Sequence, residues 1–317
     1  MFLDFGSISR LELSDEAIRA AQDWYYSIEL RPGVVTPGAN YPNVALTRAA
    51  IGRMDLAGTR CLDIGAMEGL VTTVLCRRGA AGVVGYDRWK HREKIAAVRH
   101  AYGAPFEYVD GIPLRELPSA FRRAGHGPFD VVVFSGVLYH LFDPLGGLAT
   151  ARALLRENGL MILETSSVIT HEAAFLANVR KHMGGHSYLV PTIPAVEYFA
   201  RFLRMRILDC EYILSHRVPA SGLVVARLCL VLRATDDHTL DEDDPFMGER
   251  MYIASDTAEY VDWDWVRSDA PPVPYSAEPT VHRYETARSL EVLMTVLGNR
   301  PRPVAARDVT LHLADAG

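Results

Sequence analysis

Three acids punctuate the first half of the chain: Asp63, Asp87 and Asp110. Each closes or nearly closes a short apolar run, namely RCLDI (60–64), VVGYD (83–87) and FEYVD (106–110). The first acid opens the turn Asp63-Ile64-Gly65-Ala66-Met67-Glu68-Gly69. A backbone that bends sharply, or lets a ligand approach with no Cβ in the way, needs glycine, and Gly65 and Gly69 supply it beside Ala66. Asp63 is placed to accept a charge-assisted hydrogen bond from an α-amino group. Asp87, 24 residues further on, can accept from both hydroxyls of a ribose. Asp110 suits the exocyclic amine of an adenine, with the backbone N–H of Gly111 for a ring nitrogen.

The spacing is DxGxxxG, and Met67 stands where a GxGxxG turn has its middle glycine. That glycine lets the backbone cradle a pyrophosphate, so its absence argues against NAD. S-adenosylmethionine (SAM) has no phosphate and needs no such cradle. The expected cofactor is therefore SAM, held by Asp63, Gly65, Ala66, Gly69, Asp87, Asp110 and Gly111, with Ser135 at the end of the next strand.

Such acids reach one ligand only if their strands lie side by side. Strands at 60–64, 83–87, 106–110, 129–135 and 160–165 alternate with helices at 68–78, 90–101, 114–124 and 144–156, which predicts a parallel sheet covered on both faces. A helix is expected over 172–183, a loop over 184–194 and a helix over 194–204. The apolar segments 205–213 and 223–234 follow, and their short connection makes them antiparallel neighbours. The fold class is α/β, a Rossmann-like seven-stranded methyltransferase sheet with helices on both faces and its last strand antiparallel. A helical cap occupies residues 1–55, with helices at 13–26 and 44–54 around a loop at 31–43. The SAM-binding core spans 56–235, with a lid at about 166–204. A C-terminal extension spans 236–317, and its helix at 283–298 is expected to cover the core or to make a homodimer contact.

Composition narrows the function. The chain has 317 residues, 49% hydrophobic and 23% charged, which are globular values. No apolar run reaches the ~18 residues of a membrane helix, and the acidic N-terminus does not read as a signal peptide. The four cysteines form no CxxC pair and read as buried free thiols of a cytoplasmic protein. A net charge of −6, with lysine only at 90, 94 and 181, does not favour nucleic acid as a partner.

The stretch FDVVVFSGVLYHLFDPL (129–145) resembles the fourth-strand motif of class I SAM methyltransferases. It is most similar to the branch holding the tRNA wobble-uridine carboxymethyltransferases and related bacterial small-molecule methyltransferases. Ser27-Ile28-Glu29-Leu30 with Thr36-Pro37-Gly38, and LVPTIPAVEYF (189–199), resemble the same branch. The resemblance covers roughly residues 24–234 and implies the fold and SAM binding. It departs at Met67-Glu68, where many relatives have Trp-Asp. The carboxylated cofactor of the tRNA enzymes requires a pocket arginine, and none can be placed from the sequence.

A sulfonium methyl is already electrophilic, so alignment of the acceptor supplies much of the catalysis, up to ~7–11 kcal/mol. A hydroxyl acceptor also needs a base, and histidine titrates near neutrality. His140 lies just past the fourth strand, beside Tyr139, and His186 lies in the lid stretch MGGHSY (183–188). His186 is expected to be the base, with His140 and Tyr139 orienting the acceptor. Glu164, His171 and Glu172 are the candidate ligands, by position only, of a Mg2+ such as some sugar O-methyltransferases use. The leading expectation is O-methylation of a small hydroxylated metabolite. The alternatives are a tRNA- or RNA-modifying transferase and a non-catalytic SAM-binding partner module.

Overall fold

A computed structural model describes residues 2–5, 14–20, 23–39, 41–183, 186–219, 221–235, 256–276 and 310–314. Its centre is a seven-stranded sheet of β3 (Arg60–Ile64), β4 (Gly82–Asp87), β5 (Glu107–Asp110), β6 (Phe129–Ser135), β7 (Leu155–Ile169), β10 (Met205–Arg217) and β11 (Val224–Ala234). The order across the sheet is β10-β11-β7-β6-β3-β4-β5. β3 to β7 run parallel, while β11 slots between β7 and β10 and runs against both. The chain reaches β10 and then turns back through a connection too short for a crossover, as its sequence requires.

The helices α3 (Leu70–Arg77), α4 (Arg92–Tyr102), α5 (Leu117–Arg123), α6 (Pro144–Arg152) and α7 (Ile193–Phe202) link these strands. One apolar cluster joins Leu62, Val132, Phe134, Leu163, Leu228 and neighbours on one face of the sheet. The other joins Cys61, Val83, Val131, Val133, Ile162 and neighbours on the opposite face. Adjacent strand residues alternate between the clusters, which is why Val131-Val132-Val133 is buried throughout.

Before the sheet come α1 (Asp15–Ala20), the hairpin β1 (Glu29–Arg31) and β2 (Val34–Val35), and α2 (Pro42–Gly52). The first helix is shorter than expected. Trp24 and Tyr26 leave it and are buried in the core, and the chain there runs alongside Gly38, where a Cβ would lie 2.0 Å from the Tyr26 carbonyl oxygen. Tertiary packing thus overrides helical propensity at 23–26.

Two further expectations are corrected. Residues 172–183 are not a helix: β8 (Phe175–Ala177) pairs antiparallel with β9 (Leu189–Pro191), and a 3-10 turn follows at Val179–Lys181. Asn178 fixes that turn, its side chain accepting from the Met183 N–H at 2.7 Å and donating to the Ser187 carbonyl at 3.1 Å. The helix expected over 144–156 ends at Arg152, because β7 starts at Leu155 and continues to Ile169 along β11.

The described part of the C-terminal extension folds back on the core. Val261, Val266 and Val273 are buried, and Trp263 and Trp265 pack on the main cluster. Arg204 lies 4.0 Å over the Trp263 ring and Arg122 4.7 Å over Trp265. The Tyr275 hydroxyl and Arg53 both engage Asp209 of β10. The helix expected at 283–298, offered as a dimer contact, lies outside the described residues. Burial on this scale is worth roughly 5 kcal/mol. A chain ending at residue 235 is expected to aggregate or to melt well below the full protein in a thermal scan. A truncated chain that stays soluble, monomeric and equally stable would make the extension dispensable.

Candidate active site

Sheet register brings the sequence-predicted acids together. Asp87 and Asp110 are direct partners across β4 and β5, and Ser135 faces Glu164 across β6 and β7. With Asp63 on β3 they line the carboxyl ends of the parallel strands, where ligands bind in open α/β sheets.

The turn after β3 has the expected conformation. Gly65 has φ 89° and Gly69 φ 84°, both left-handed, and a Cβ on Gly65 would meet Val137 at 2.5 Å. Gly65 and Ala66 both donate their N–H to the Tyr86 carbonyl, at 2.8 and 2.9 Å. Met67 is also left-handed, at φ 48°, which a glycine would adopt with less strain. It is held there because its N–H donates to Asp87 at 2.9 Å, while the other Asp87 oxygen accepts from the Trp89 N–H at 2.9 Å. Asp87 thus braces the turn as well as facing the rim.

Asp63 is buried and accepts from the Thr72 hydroxyl at 2.7 Å. Burial pushes its pKa up to about 7, Thr72 pulls the other way, and the nearby Asp87 charge pushes it further up. Burial likewise raises Asp87, against the N–H groups of Trp89 and Met67. A cation arriving at this rim would relieve both. Asp110 forms a bidentate ion pair with Arg92 at 2.7 and 2.8 Å, so Arg92 stiffens the acid expected to face an adenine. Gly111 follows at φ 69°, with the Lys90 side chain alongside it.

Two residues of the site escaped the sequence reading. Glu68, in the turn itself, is fully buried and accepts from the Tyr25 N–H at 2.9 Å, with Lys94 at 3.7 Å. It fastens the N-terminal segment to the cofactor turn, and burial raises its pKa. The second is Arg227 of β11, which grips the fully buried Glu164 through two bonds of 2.7 and 2.6 Å. Its guanidinium lies 4.7 Å over the Tyr139 ring. Thr47 and Ser135 share a hydroxyl hydrogen bond of 2.8 Å beside it. A single charge inside the apolar run LVVARLCLVL (223–232) was the available signal.

The two histidines are joined, though not side chain to side chain. His140 Nδ1 lies 2.8 Å from the backbone carbonyl of His186, so Nδ1 carries the proton and Nε2 keeps its lone pair. His140 is exposed at its outer edge, yet partial desolvation on its inner side holds the imidazole pKa below the ordinary value, the His186 carbonyl opposes this, and the Arg227 charge adds to it. The Tyr188 N–H also donates to the Tyr139 carbonyl at 2.8 Å. The lid is thereby stitched to the rim after β6, with the His186 side chain exposed.

The expected Mg2+ site does not assemble. Glu164 is taken by Arg227, His171 and Glu172 are exposed, and among the described residues no group of three or more His, Cys, Asp or Glu could hold a metal ion. No helix among those residues is long and apolar enough to cross a membrane.

Residues 41–197 match the family described as "Methyltransferase domain". The chain carries a class I methyltransferase domain. Curated relatives include a tRNA U34 carboxymethyltransferase of Ectopseudomonas mendocina, 30% identical over 152 residues, covering 47% of this chain and 45% of the relative. The same enzyme of Azotobacter vinelandii is 29% identical over 163 residues, covering 49% of each. The chain thus spans about half the length of the curated relatives it matches. Among solved structures, the N-terminal domain of EvdMO1, crystallised with S-adenosylhomocysteine (SAH) and D-fucose, is 19% identical with a TM-score of 0.45, covering 67% of this chain and 92% of that one.

Proposed function

We propose that the protein transfers a methyl group from SAM to a hydroxyl of a small acceptor, with His140 as the base. The rim fits the cofactor: Gly65 leaves the turn open, Asp63 and Asp87 need a cation or hydroxyl donors to relieve their burial, and Asp110 is held rigid by Arg92. SAM when bound supplies an electrophilic sulfonium methyl. The chain's own task is then to align the acceptor and to take its proton at His140 Nε2.

The observation that carries the acceptor side is the His140–His186 contact. It sets the tautomer that leaves Nε2 basic, and the lowered pKa keeps the ring neutral at pH 7. The order expected from the sequence is therefore reversed: His140 is the proposed base, and the lid positions it through the His186 carbonyl. Tyr139, under Arg227, lines the acceptor side.

The names of the relatives favour a second reading, tRNA modification with a carboxylated cofactor. Arg227 could meet such a carboxylate. Its two-point pairing with Glu164 already neutralises it, however, and a buried neutral pair offers little attraction to a second anion. Ordinary SAM fits this pair better.

Asp87→Ala is expected to weaken SAM binding by ~1.5–3 kcal/mol, the usual effect of losing a hydrogen bond to a charged group. Calorimetry measures it, and NAD should give no binding heat with the unaltered protein. Unchanged SAM affinity in Asp87→Ala would remove the ribose assignment. Methylation of bulk tRNA in preference to any small hydroxylated compound would replace the first reading with the second.

A further inference from the structure

Large hydrophobic side chains do not ordinarily gather in the open on one part of a surface, because each leaves its apolar area in water. Six such residues are exposed among the described residues: Trp89, Phe142, Leu145, Val179, Tyr188 and Tyr260. Four of them belong to the two connections that flank His140. Phe142 is 87% exposed and sits two residues after His140, and Leu145 follows in the first turn of α6. Tyr188 is 60% exposed, and its N–H is bonded to Tyr139. Val179 is 67% exposed and adjoins Asn178, whose N–H donates to the Tyr188 carbonyl at 2.9 Å. The bonds that stitch the lid to the rim therefore bring the two connections that carry these four exposed side chains together beside His140.

The charge of these connections says what kind of body they receive. Among the described side chains of residues 136–147 and 170–188, Asp143 and Glu172 stand against Lys181, with four histidines interspersed. Such a surface is near neutral at pH 7. A polyanion would call for a clear excess of positive charge. A sugar with hydroxyls on every side would gain nothing from phenyl, leucyl and valyl groups held in water.

We propose that the acceptor is an uncharged small molecule whose reacting hydroxyl is carried on a large apolar or aromatic body, and that Phe142, Leu145, Val179 and Tyr188 bind that body. This rests on the methyl-transfer reading above and adds to it the class of acceptor. The collar selects the substrate and takes no part in the chemistry, so its residues change acceptor affinity and leave cofactor affinity alone.

The full chain, saturated with SAH, is titrated with the neutral fluorophore N-phenyl-1-naphthylamine, alone and in competition with octyl or methyl β-glucoside. Saturable fluorescence enhancement is expected, displaced by the octyl and not the methyl compound. Phe142→Ser with Tyr188→Ser should weaken probe binding at least ~10-fold with SAH affinity unchanged. Equal probe binding by the double variant, or no binding, would overturn the proposal. So would displacement by bulk tRNA, or a self-association in sedimentation that the double variant abolishes, since RNA or a second copy would then occupy the collar. SAH calorimetry on the same samples separates the two levels: absent SAH binding would refute the methyl-transfer reading, and normal SAH binding without probe binding would refute the collar alone.

Discussion

Replacing Arg227 with methionine is expected to destabilise the protein by ~3–5 kcal/mol, the effect of stranding one partner of a buried ion pair. Glu164 has a fully buried side chain, and both its bonds to Arg227 would be lost together. The nearest remaining donor is the Ser135 hydroxyl at 3.5 Å, too long to compensate for a charge. The Tyr139 ring would lose the guanidinium that covers it, so the acceptor side should loosen with the fold. The double variant Glu164→Leu/Arg227→Met removes both charges and should recover most of the stability in chemical denaturation. A single Arg227→Met variant as stable as the parent would mean that Glu164 is not held as described.

Replacing His140 with alanine is expected to lower turnover at least ~100-fold on a hydroxylated acceptor while SAM affinity stays within about twofold. Only the neutral imidazole can accept the proton, and partial desolvation lowers the pKa of His140. kcat/KM should therefore rise with pH through a single ionisation lying below the ordinary ~6.5 of histidine, then level off. The same shift makes folding stability fall as pH drops below ~6.5, because the unfolded chain then binds the proton more readily. His186→Ala should have little effect, since its contact with His140 is made by its backbone carbonyl. A large loss in His186→Ala with near-normal His140→Ala would restore the order expected from the sequence.

The parts of the site legible in the sequence were those where local geometry leaves few choices. Asp87 and Asp110 end strands and Asp63 stands one residue before the end of its own, and strands in a doubly covered sheet are continuous apolar runs, so their alignment along one rim followed from the chain alone. The left-handed turn at Gly65 and Gly69 was legible for the same reason. Pairings over long stretches of chain were not. Arg227 and Glu164 lie 63 residues apart and meet only because β11 inserts beside β7. Glu68 takes its role from Tyr25, 43 residues earlier in the chain. The helix expected at 172–183 failed because β8 is made by pairing with β9, a partner that local propensity does not register. His140 follows β6 in a 3-10 turn, and its tautomer depends on a lid carbonyl that spacing cannot locate.

The central claim is that the rim after β3, β4 and β5 binds SAM through its acids. Calorimetric titration of SAM at pH 6 and at pH 8 tests it most directly. Burial raises Asp63 to about 7, and the cofactor ammonium favours its ionised form. One-to-one saturable binding is expected, several-fold tighter at pH 8 than at pH 6, with net proton release at the lower pH. No heat of binding at either pH, or an equal response to NAD, would contradict it.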